Sequence, residues 1–422
     1  MMSSRLSMKI GMNVMKKSFS TSNWSHLKPR PADPILGIVE EFKKDKAPNK
    51  VNLSAGTYKD NEGKPYILNC VRTAEKLILE RHIDHEYLPI EGLASFVKSS
   101  LKLAYSEESK ALKEERIVGL QALSGTGSLR VGMEFLSMHY SGNKQVFIPN
   151  PSWPNHKNIV ARSGMEFKEY RYYDYQNKTL NLQGMLEDLD KAPERSIVVL
   201  HVCAHNPTGM DPDKSQWDEI HRVVAKKNHL PFFDMAYQGF ASGDLVKDSY
   251  ALRKFADSGV KLALAQSYAK NFGLYGERIG CFSLICDSKE EATAVESHVK
   301  FIARAQYSNP PKYGAHLVDI VLSDHSLTKE WHKELKIMSD RIASMRTALY
   351  TGIKTKGSQL NWDHIVKQIG MFAFTGLNLD QVKTLKSQYH IYLTDDGRIS
   401  IAGLNTKNVD YVAQAFHEVS KL

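Results

Sequence analysis

The sequence predicts an α/β protein with a large domain, built on a mostly parallel sheet flanked by helices, and a smaller α+β domain. Three observations carry this. From about residue 67 to 335, apolar runs alternate with helical stretches, the pattern of strands joined by crossover helices. Several runs are apolar throughout, as expected of strands covered on both faces. Beyond residue 335 the pattern changes to long helix and short strands, which marks a second unit.

Residues 1–22 are set apart by charge. No Asp or Glu occurs before Asp33, while Arg5, Lys9, Lys16 and Lys17 lie among Ser, Met and Ile. A basic, Ser-containing, acid-free start is the pattern of a mitochondrial transit peptide and implies the mitochondrial matrix; a plain N-terminal tail is the alternative. Residues 23–34 hold one Trp and three prolines without helical period, and read as an extended arm. An amphipathic helix is predicted over 35–46, then loop and short strands over 51–66. Residues 23–66 are assigned to the arm and a small-domain segment, 67–335 to the large domain and 336–422 to the small C-terminal domain.

Within the large domain, strands are predicted at 145–149, 197–202, 230–234, 261–267 and 279–286, and helices at 215–227 and 290–304. A long helix is predicted at 328–354. Short strands at 372–374 and 399–402 and helices at 379–389 and 408–422 complete the chain.

Composition excludes several function classes. The formal charge is +9, and setting aside the four cations of the first 22 residues leaves +5. That excess is modest, and no basic–aromatic motif or zinc finger accompanies it, so nucleic acid is not an expected partner. No apolar run approaches the ~20 residues of a membrane span, so no integral membrane segment is expected. Cys70, Cys203, Cys281 and Cys286 are scattered, without a C-x-x-C pair. They read as buried reduced thiols, and no metal site is expected.

The most informative segment is Gln266-Ser267-Tyr268-Ala269-Lys270-Asn271-Phe272-Gly273-Leu274-Tyr275-Gly276-Glu277-Arg278. Lys270 lies just past a predicted strand end, where open α/β sheets place ligands. An amine there can form a Schiff base with an aldehyde cofactor. Ser267 and Arg278 flank it at a spacing suited to two sides of one phosphate. A lone lysine in that place would be a surface residue.

Other segments repeat the theme. Ser124-Gly125-Thr126-Gly127-Ser128 leads into an apolar helix and offers backbone N–H groups and hydroxyls to an anion; alone it is also ordinary N-cap chemistry. Trp153 and Asn206 stand in loops after strands. Trp153 can stack on an aromatic ring or pack in the core. Asn150–Pro151 and Asn206–Pro207 are candidate cis peptides. Asp234 ends an apolar strand, where a carboxylate needs a partner: a protonated ring nitrogen, a helix terminus or a salt bridge. Tyr237 follows three residues later. Arg304 and Arg398 are forks able to grip carboxylates bidentately, and two forks suit a dicarboxylic acid; singly, each also reads as a surface arginine.

Together, in order and spacing, these segments resemble the aspartate aminotransferases, class I pyridoxal-phosphate-dependent aminotransferases, over nearly all the chain after residue 22. The resemblance implies fold-type I and pyridoxal 5'-phosphate covalently bound to Lys270, which would also shuttle the substrate proton. It implies that Asp234 faces the pyridine nitrogen while Asn206 and Tyr237 face the phenolate oxygen. Ser124, Gly125, Thr126, Ser267 and Arg278 would hold the phosphate, and Trp153 would stack on the ring. Arg398 would bind the α-carboxylate, with Gly56, Trp153 and Asn206 also touching substrate. It further implies a homodimer with shared active sites, in which Tyr87 reaches the neighbour's phosphate and Arg304 grips the distal carboxylate of the neighbour's substrate. The expected partners are dicarboxylic amino and oxo acids, L-aspartate and 2-oxoglutarate exchanging an amino group to give oxaloacetate and L-glutamate.

One segment departs. The family usually has Asn-Leu-Gly-Val-Gly-Ala-Tyr where this chain has Asn52-Leu53-Ser54-Ala55-Gly56-Thr57-Tyr58. Gly56 is kept, but Ser54 and Ala55 alter a loop expected to close over substrate. An aromatic or broad-specificity aminotransferase is the nearest rival reading. A catalytically dead paralogue docking on acidic membrane is the rival from another class.

Overall fold

The computed structural model describes residues 23–29 and 33–421. The transit peptide expected over 1–22 therefore lies outside the described residues. The chain divides into a short unit, Met1–Asp33, and a long one, Pro34–Leu422. In the short unit the expected extended arm instead begins with a turn over 23–26, closed by Leu27 N–H donating to Trp24 O at 3.0 Å.

The long unit is built on a seven-stranded sheet. Its strands are β1 (Ile117–Leu123), β2 (Val146–Asn150), β3 (Phe167–Arg171), β4 (Ile197–His201), β5 (Leu230–Met235), β6 (Ala263–Ser267) and β7 (Ile279–Ile285). The spatial order is β1-β7-β6-β5-β4-β2-β3. Only β7 runs antiparallel to its neighbours. Strands β4 to β7 are buried at every residue, which explains their largely apolar runs. Alternate side chains serve opposite faces: Phe232 joins one core and Phe233 the other.

The helix Ser124–His139 lies on one face. A Cβ at Gly132 would stand 2.5 Å from Phe232 and from Phe282, so only glycine lets this helix approach so closely. The Gly-rich segment expected as a turn before this helix forms its first turn instead. The helix Lys214–Lys226 on the other face starts with a reciprocal cap between Asp213 and Gln216.

The helix His325–Thr355 buries Leu327, Trp331, Leu335, Met338, Ile342, Leu349 and Ile353, and packs against Val409–Val419 and Asn69–Glu80. Two small sheets accompany it. Val51–Asn52 pairs in parallel with Ile391–Tyr392, and Phe372–Phe374 pairs antiparallel with Arg398–Ser400. The strand expected over 399–402 thus stops at Ser400, and Ile401–Gly403 winds into a 3-10 turn. Strands β1 and β3 have no counterpart in the sequence prediction: Gly119 and the buried Gln121 interrupt β1 and β3 is exposed at four of five residues, so neither gives a continuous apolar run.

Candidate active site

Parallel strands align their carboxyl ends, and here that edge collects the chemistry. Register pairs Leu123 with Ile279, Ser267 with Gly280, Asp234 with Ala265 and His201 with Asp234. Ser124, Ser267, Lys270, Asp234 and the 202–209 loop therefore leave the sheet on one side. Antiparallel β7 starts at the same edge, which brings in Arg278. A cavity of about 270 Å³ opens there. Its walls include Gly56, Ser124, Gly125, Thr126, Trp153, Asn206, Asp234, Tyr237, Ser267, Lys270, Arg278 and Arg398. Twelve of the fourteen residues expected from sequence thus meet in one cavity.

Lys270 is held from both sides. Tyr268 is buried and its hydroxyl donates to Ser100 Oγ at 2.8 Å. Phe272 stacks on Trp331 with ring centres 4.5 Å apart, and Trp331 Nε1–H donates to Asn271 O at 2.8 Å. The amine between them lies 5.1 Å from the centre of the Tyr237 ring. Burial lowers its pKa to about 8; the Asp234 charge opposes that shift and Arg278 adds to it.

Asp234 is 5% exposed and accepts a 2.9 Å hydrogen bond from His156 Nε2–H. His156 Nδ1 lies 2.8 Å from Ser152 Oγ. Burial pushes the Asp234 carboxyl up, but the His156 hydrogen bond and the nearby Lys270 charge outweigh it and hold the group below its ordinary value, ionised. Both ring nitrogens of buried His201 lack a protein partner among the described residues. Burial, His205 and His156 together keep His201 neutral, well below its ordinary pKa. His156, His201 and Asp234 present ligand atoms within 4.8 Å of one another, a spacing open to a metal ion. The hydrogen bond between His156 and Asp234 already satisfies two of them.

Arg398 is 3% exposed. Its Nη2 donates to Ser54 O at 2.7 Å, its Nη1 to Asn206 Oδ1 at 3.4 Å, and its guanidinium lies 4.4 Å over the Phe372 ring. None of these partners is anionic, and Nε has no partner among the described residues. A buried cation so placed is suited to a carboxylate from outside. Ser124 Oγ and Ser267 Oγ share a 2.9 Å hydrogen bond beside Gly125 and Arg278. Serine hydroxyls, a helix start and a guanidinium form a donor set that fits a phosphate. The donor set, the Lys270 amine and the ionised Asp234 carboxylate thus fit pyridoxal 5'-phosphate.

Arg304 and Tyr87 are the two expected residues that this cavity does not include. Arg304 is exposed on the helix Lys289–Gln306 and donates to Ser308 Oγ. Tyr87 is 81% exposed. Conversely, Ile35, Leu36, Val39, Ala236, His201, Tyr275 and Phe372 line the cavity without having been singled out from sequence, and Ala55 of the departing loop lines it too. Tyr275 lies within the Lys270 segment and was legible there; Phe372 and Ile35 carry no sequence signal beyond hydrophobicity.

Residues 48–416 match the sequence model of aminotransferase class I and II. The mitochondrial aspartate aminotransferase of Gallus gallus is 50% identical over 421 residues, covering 100% of both chains. The cytoplasmic aspartate aminotransferase of Saccharomyces cerevisiae superposes with a TM-score of 0.92 at 44% identity, over 95% of this chain and 99% of that one. An aromatic amino acid aminotransferase of Burkholderia cenocepacia superposes with a TM-score of 0.90 at 40% identity, over 94% and 98%. A cavity built at the strand ends around Lys270, and likeness along the full chain, lead to one statement of kinship: this protein belongs to the class I and II aminotransferase family.

Proposed function

We propose that this protein is an aspartate aminotransferase that moves an amino group reversibly between L-aspartate and 2-oxoglutarate. One observation carries the reading. Lys270, ionised Asp234 and the guanidinium of Arg398, whose Nε has no partner among the described residues, converge on one cavity at the carboxyl edge of the sheet. When bound, pyridoxal 5'-phosphate supplies an aldehyde carbon for amines and a ring that withdraws electrons from the substrate α-carbon.

The chain does the rest. Lys270 Nζ is the point of covalent attachment and, once released, takes the proton from the substrate α-carbon. A pKa near 8 leaves a useful share of unprotonated amine in mildly alkaline solution. Asp234 keeps a proton on the ring nitrogen, and His156 keeps Asp234 ionised. Asn206 and Tyr237 hydrogen-bond the phenolate oxygen, and Trp153 covers the ring. Ser124, Gly125, Thr126, Ser267 and Arg278 hold the phosphate. Arg398 orients the α-carboxylate with Gly56 beside it. The two half-reactions alternate on one site, a ping-pong scheme.

The working unit is a homodimer. Tyr87 and Arg304, exposed and outside their own chain's cavity, complete the partner's site at the phosphate and the distal carboxylate. Residues 34–66 and 336–422 form the small domain, a division supported by the pairing of Val51–Asn52 with Ile391–Tyr392. The protein works in the mitochondrial matrix, and residues 1–22 direct it there; the relatives' names and the acid-free start support this.

A broader specificity is the second reading. Ile35, Leu36, Val39, Ala55 and Phe372 give the same cavity an apolar side. The test is borohydride reduction followed by peptide mass spectrometry, alongside turnover of L-aspartate and L-phenylalanine. Cofactor mass on Lys270 and preference for L-aspartate are expected. Mass on another lysine, or no cofactor, overturns the attachment; equal turnover overturns the specificity.

A further inference from the structure

We infer that Asp211 is a positioning residue: its carboxylate holds the 204–209 turn that presents Asn206 to the site. This inference rests on the cofactor reading above and adds a residue to it.

Asp211 lies outside the cavity and ends the loop that follows β4. Its two oxygens act separately on the start of that loop. Oδ2 accepts from Ala204 N–H at 2.6 Å, and Oδ1 accepts from His205 N–H at 2.8 Å. Ala204 has φ +50, the left-handed region that an alanine enters only when its surroundings compel it. Two charge-assisted bonds on successive amides supply that compulsion. Asn206 follows immediately.

The rest of the turn is pinned at two further points. His205 Nδ1 and Thr208 Oγ1 lie 2.8 Å apart, and Ile369 N–H donates to Gly209 O at 2.7 Å. Gly209 has φ +65, and a Cβ there would stand 2.7 Å from Phe372 O. The turn is thus clamped against the strand that carries Phe372. Between the clamps, Asn206 Oδ1 accepts from Arg398 Nη1 at 3.4 Å. A shift of the turn would displace Asn206 relative to both Arg398 and Tyr237.

Among the described residues the carboxylate has no ion-pair partner. The groups facing it are the amides of Ala204 and His205, the Asp248 carboxylate, the Cys203 thiol and the Tyr172 phenol. Burial raises its pKa to about 6, the two amide bonds oppose that shift, and Asp248 adds to it. A group whose pKa is raised on folding makes the folded state less stable above that pKa than below it. A half-buried carboxylate whose pKa is raised on folding does not add to stability; its two bonds to successive amides give it a role.

The substitution Asp211→Asn tests this. The amide oxygen can accept one N–H, but the NH₂ group then faces the other donor. Hydrogen exchange of the 203–209 segment is measured on the full chain freed of cofactor. Exchange should rise about tenfold, the protection of roughly one hydrogen bond, with the rest of the chain unchanged. In the cofactor-loaded protein, a displaced Asn206 no longer donates to the phenolate oxygen. That oxygen then holds the Schiff-base proton more tightly. The pH at which the lysine-linked visible band switches should rise by about one unit. Unchanged exchange and an unchanged switching pH overturn the inference. A folded protein without any lysine-linked band overturns the cofactor reading instead, and the exchange arm still decides the role of Asp211.

Should Asp211→Asn not fold, the unaltered chain decides. Between pH 7.5 and 5 Asp211 gains its proton, while His201 and His205 stay neutral. Protection of 203–209, corrected for intrinsic exchange, should fall over that range. Asp248, also raised, braces a different turn through Gly239, Ala241 and Ser242 and serves as the internal control. Constant protection of 203–209 overturns the inference.

Discussion

Arg398 and Asn206, 192 residues apart in sequence, meet at 3.4 Å, with guanidinium Nη1 donating to amide Oδ1. The residue proposed to grip substrate is thereby tied to the residue proposed to touch the cofactor. Arg398 comes from the short C-terminal strand Arg398–Ser400, and Asn206 from the loop after β4.

The fork matters more than the charge. Arg398→Lys keeps a cation but loses bidentate geometry and the contact with Asn206. Losing one hydrogen bond to a charged group costs about 1.5–3 kcal/mol, or roughly 10- to 150-fold in kcat/KM. The loss should be equal for L-aspartate and L-phenylalanine, which share the α-carboxylate. Steady-state kinetics on both donors checks this, and a loss confined to L-aspartate would place Arg398 at the distal carboxylate instead.

Arg304 should behave in the opposite way. Arg304→Asp replaces attraction by repulsion at the distal carboxylate. Losing a desolvated charge pair costs about 2–5 kcal/mol, or roughly 30- to several-thousand-fold in kcat/KM, for dicarboxylic substrates only. Mixing Arg304→Asp chains with Lys270→Ala chains should restore activity to some heterodimers, in which one site has Lys270 and an intact Arg304. No recovery after confirmed subunit exchange would place Arg304 in its own chain's site.

Lys270→Ala should abolish transamination and leave far-ultraviolet circular dichroism unchanged, because one amine serves as attachment point and proton carrier. Residual turnover above about one part in a thousand would identify another base.

Lys270 also sets a pH dependence of stability. Its folded pKa, about 8, is below the ordinary 10.5. Between those values the unfolded chain binds the proton and the folded chain does not, so stability rises with pH across that window. Below pH 8 the whole penalty is present. The side chain faces the cavity and is only half-buried, so water trims the penalty to about 1–3 kcal/mol. Cofactor-free Lys270→Met should therefore melt a few degrees above the parent at pH 7, and the gap should close toward pH 10. Thermal scans across that range read it directly; a constant gap would mean that the Lys270 amine is not desolvated.

A reporter carrying residues 1–30 should enter mitochondria. Fluorescence spread through the cytosol would count against the transit peptide.

Sequence alone determined the chemistry-bearing segments. Asp234 lies at the end of a mostly apolar strand, and Lys270 and Asn206 follow such strands, which announce themselves because both of their faces are buried. The helix Leu379–Tyr389 was equally expected from sequence, and the structure caps it with Asn378. Strands β1 and β3 were not: a buried Gln121 interrupts the apolar run of β1, and β3 is mostly exposed. Tertiary structure alone decided the rest. It paired β7 antiparallel and so delivered Arg278 to the edge where the other strands end. It set His156 against Asp234, left the buried Arg398 guanidinium without an ion pair among the described residues, and kept Arg304 and Tyr87 out of the cavity of their own chain. The reason is physical: local sequence governs periodicity and turns, whereas desolvation and charge partnership depend on residues brought together from distant parts of the chain.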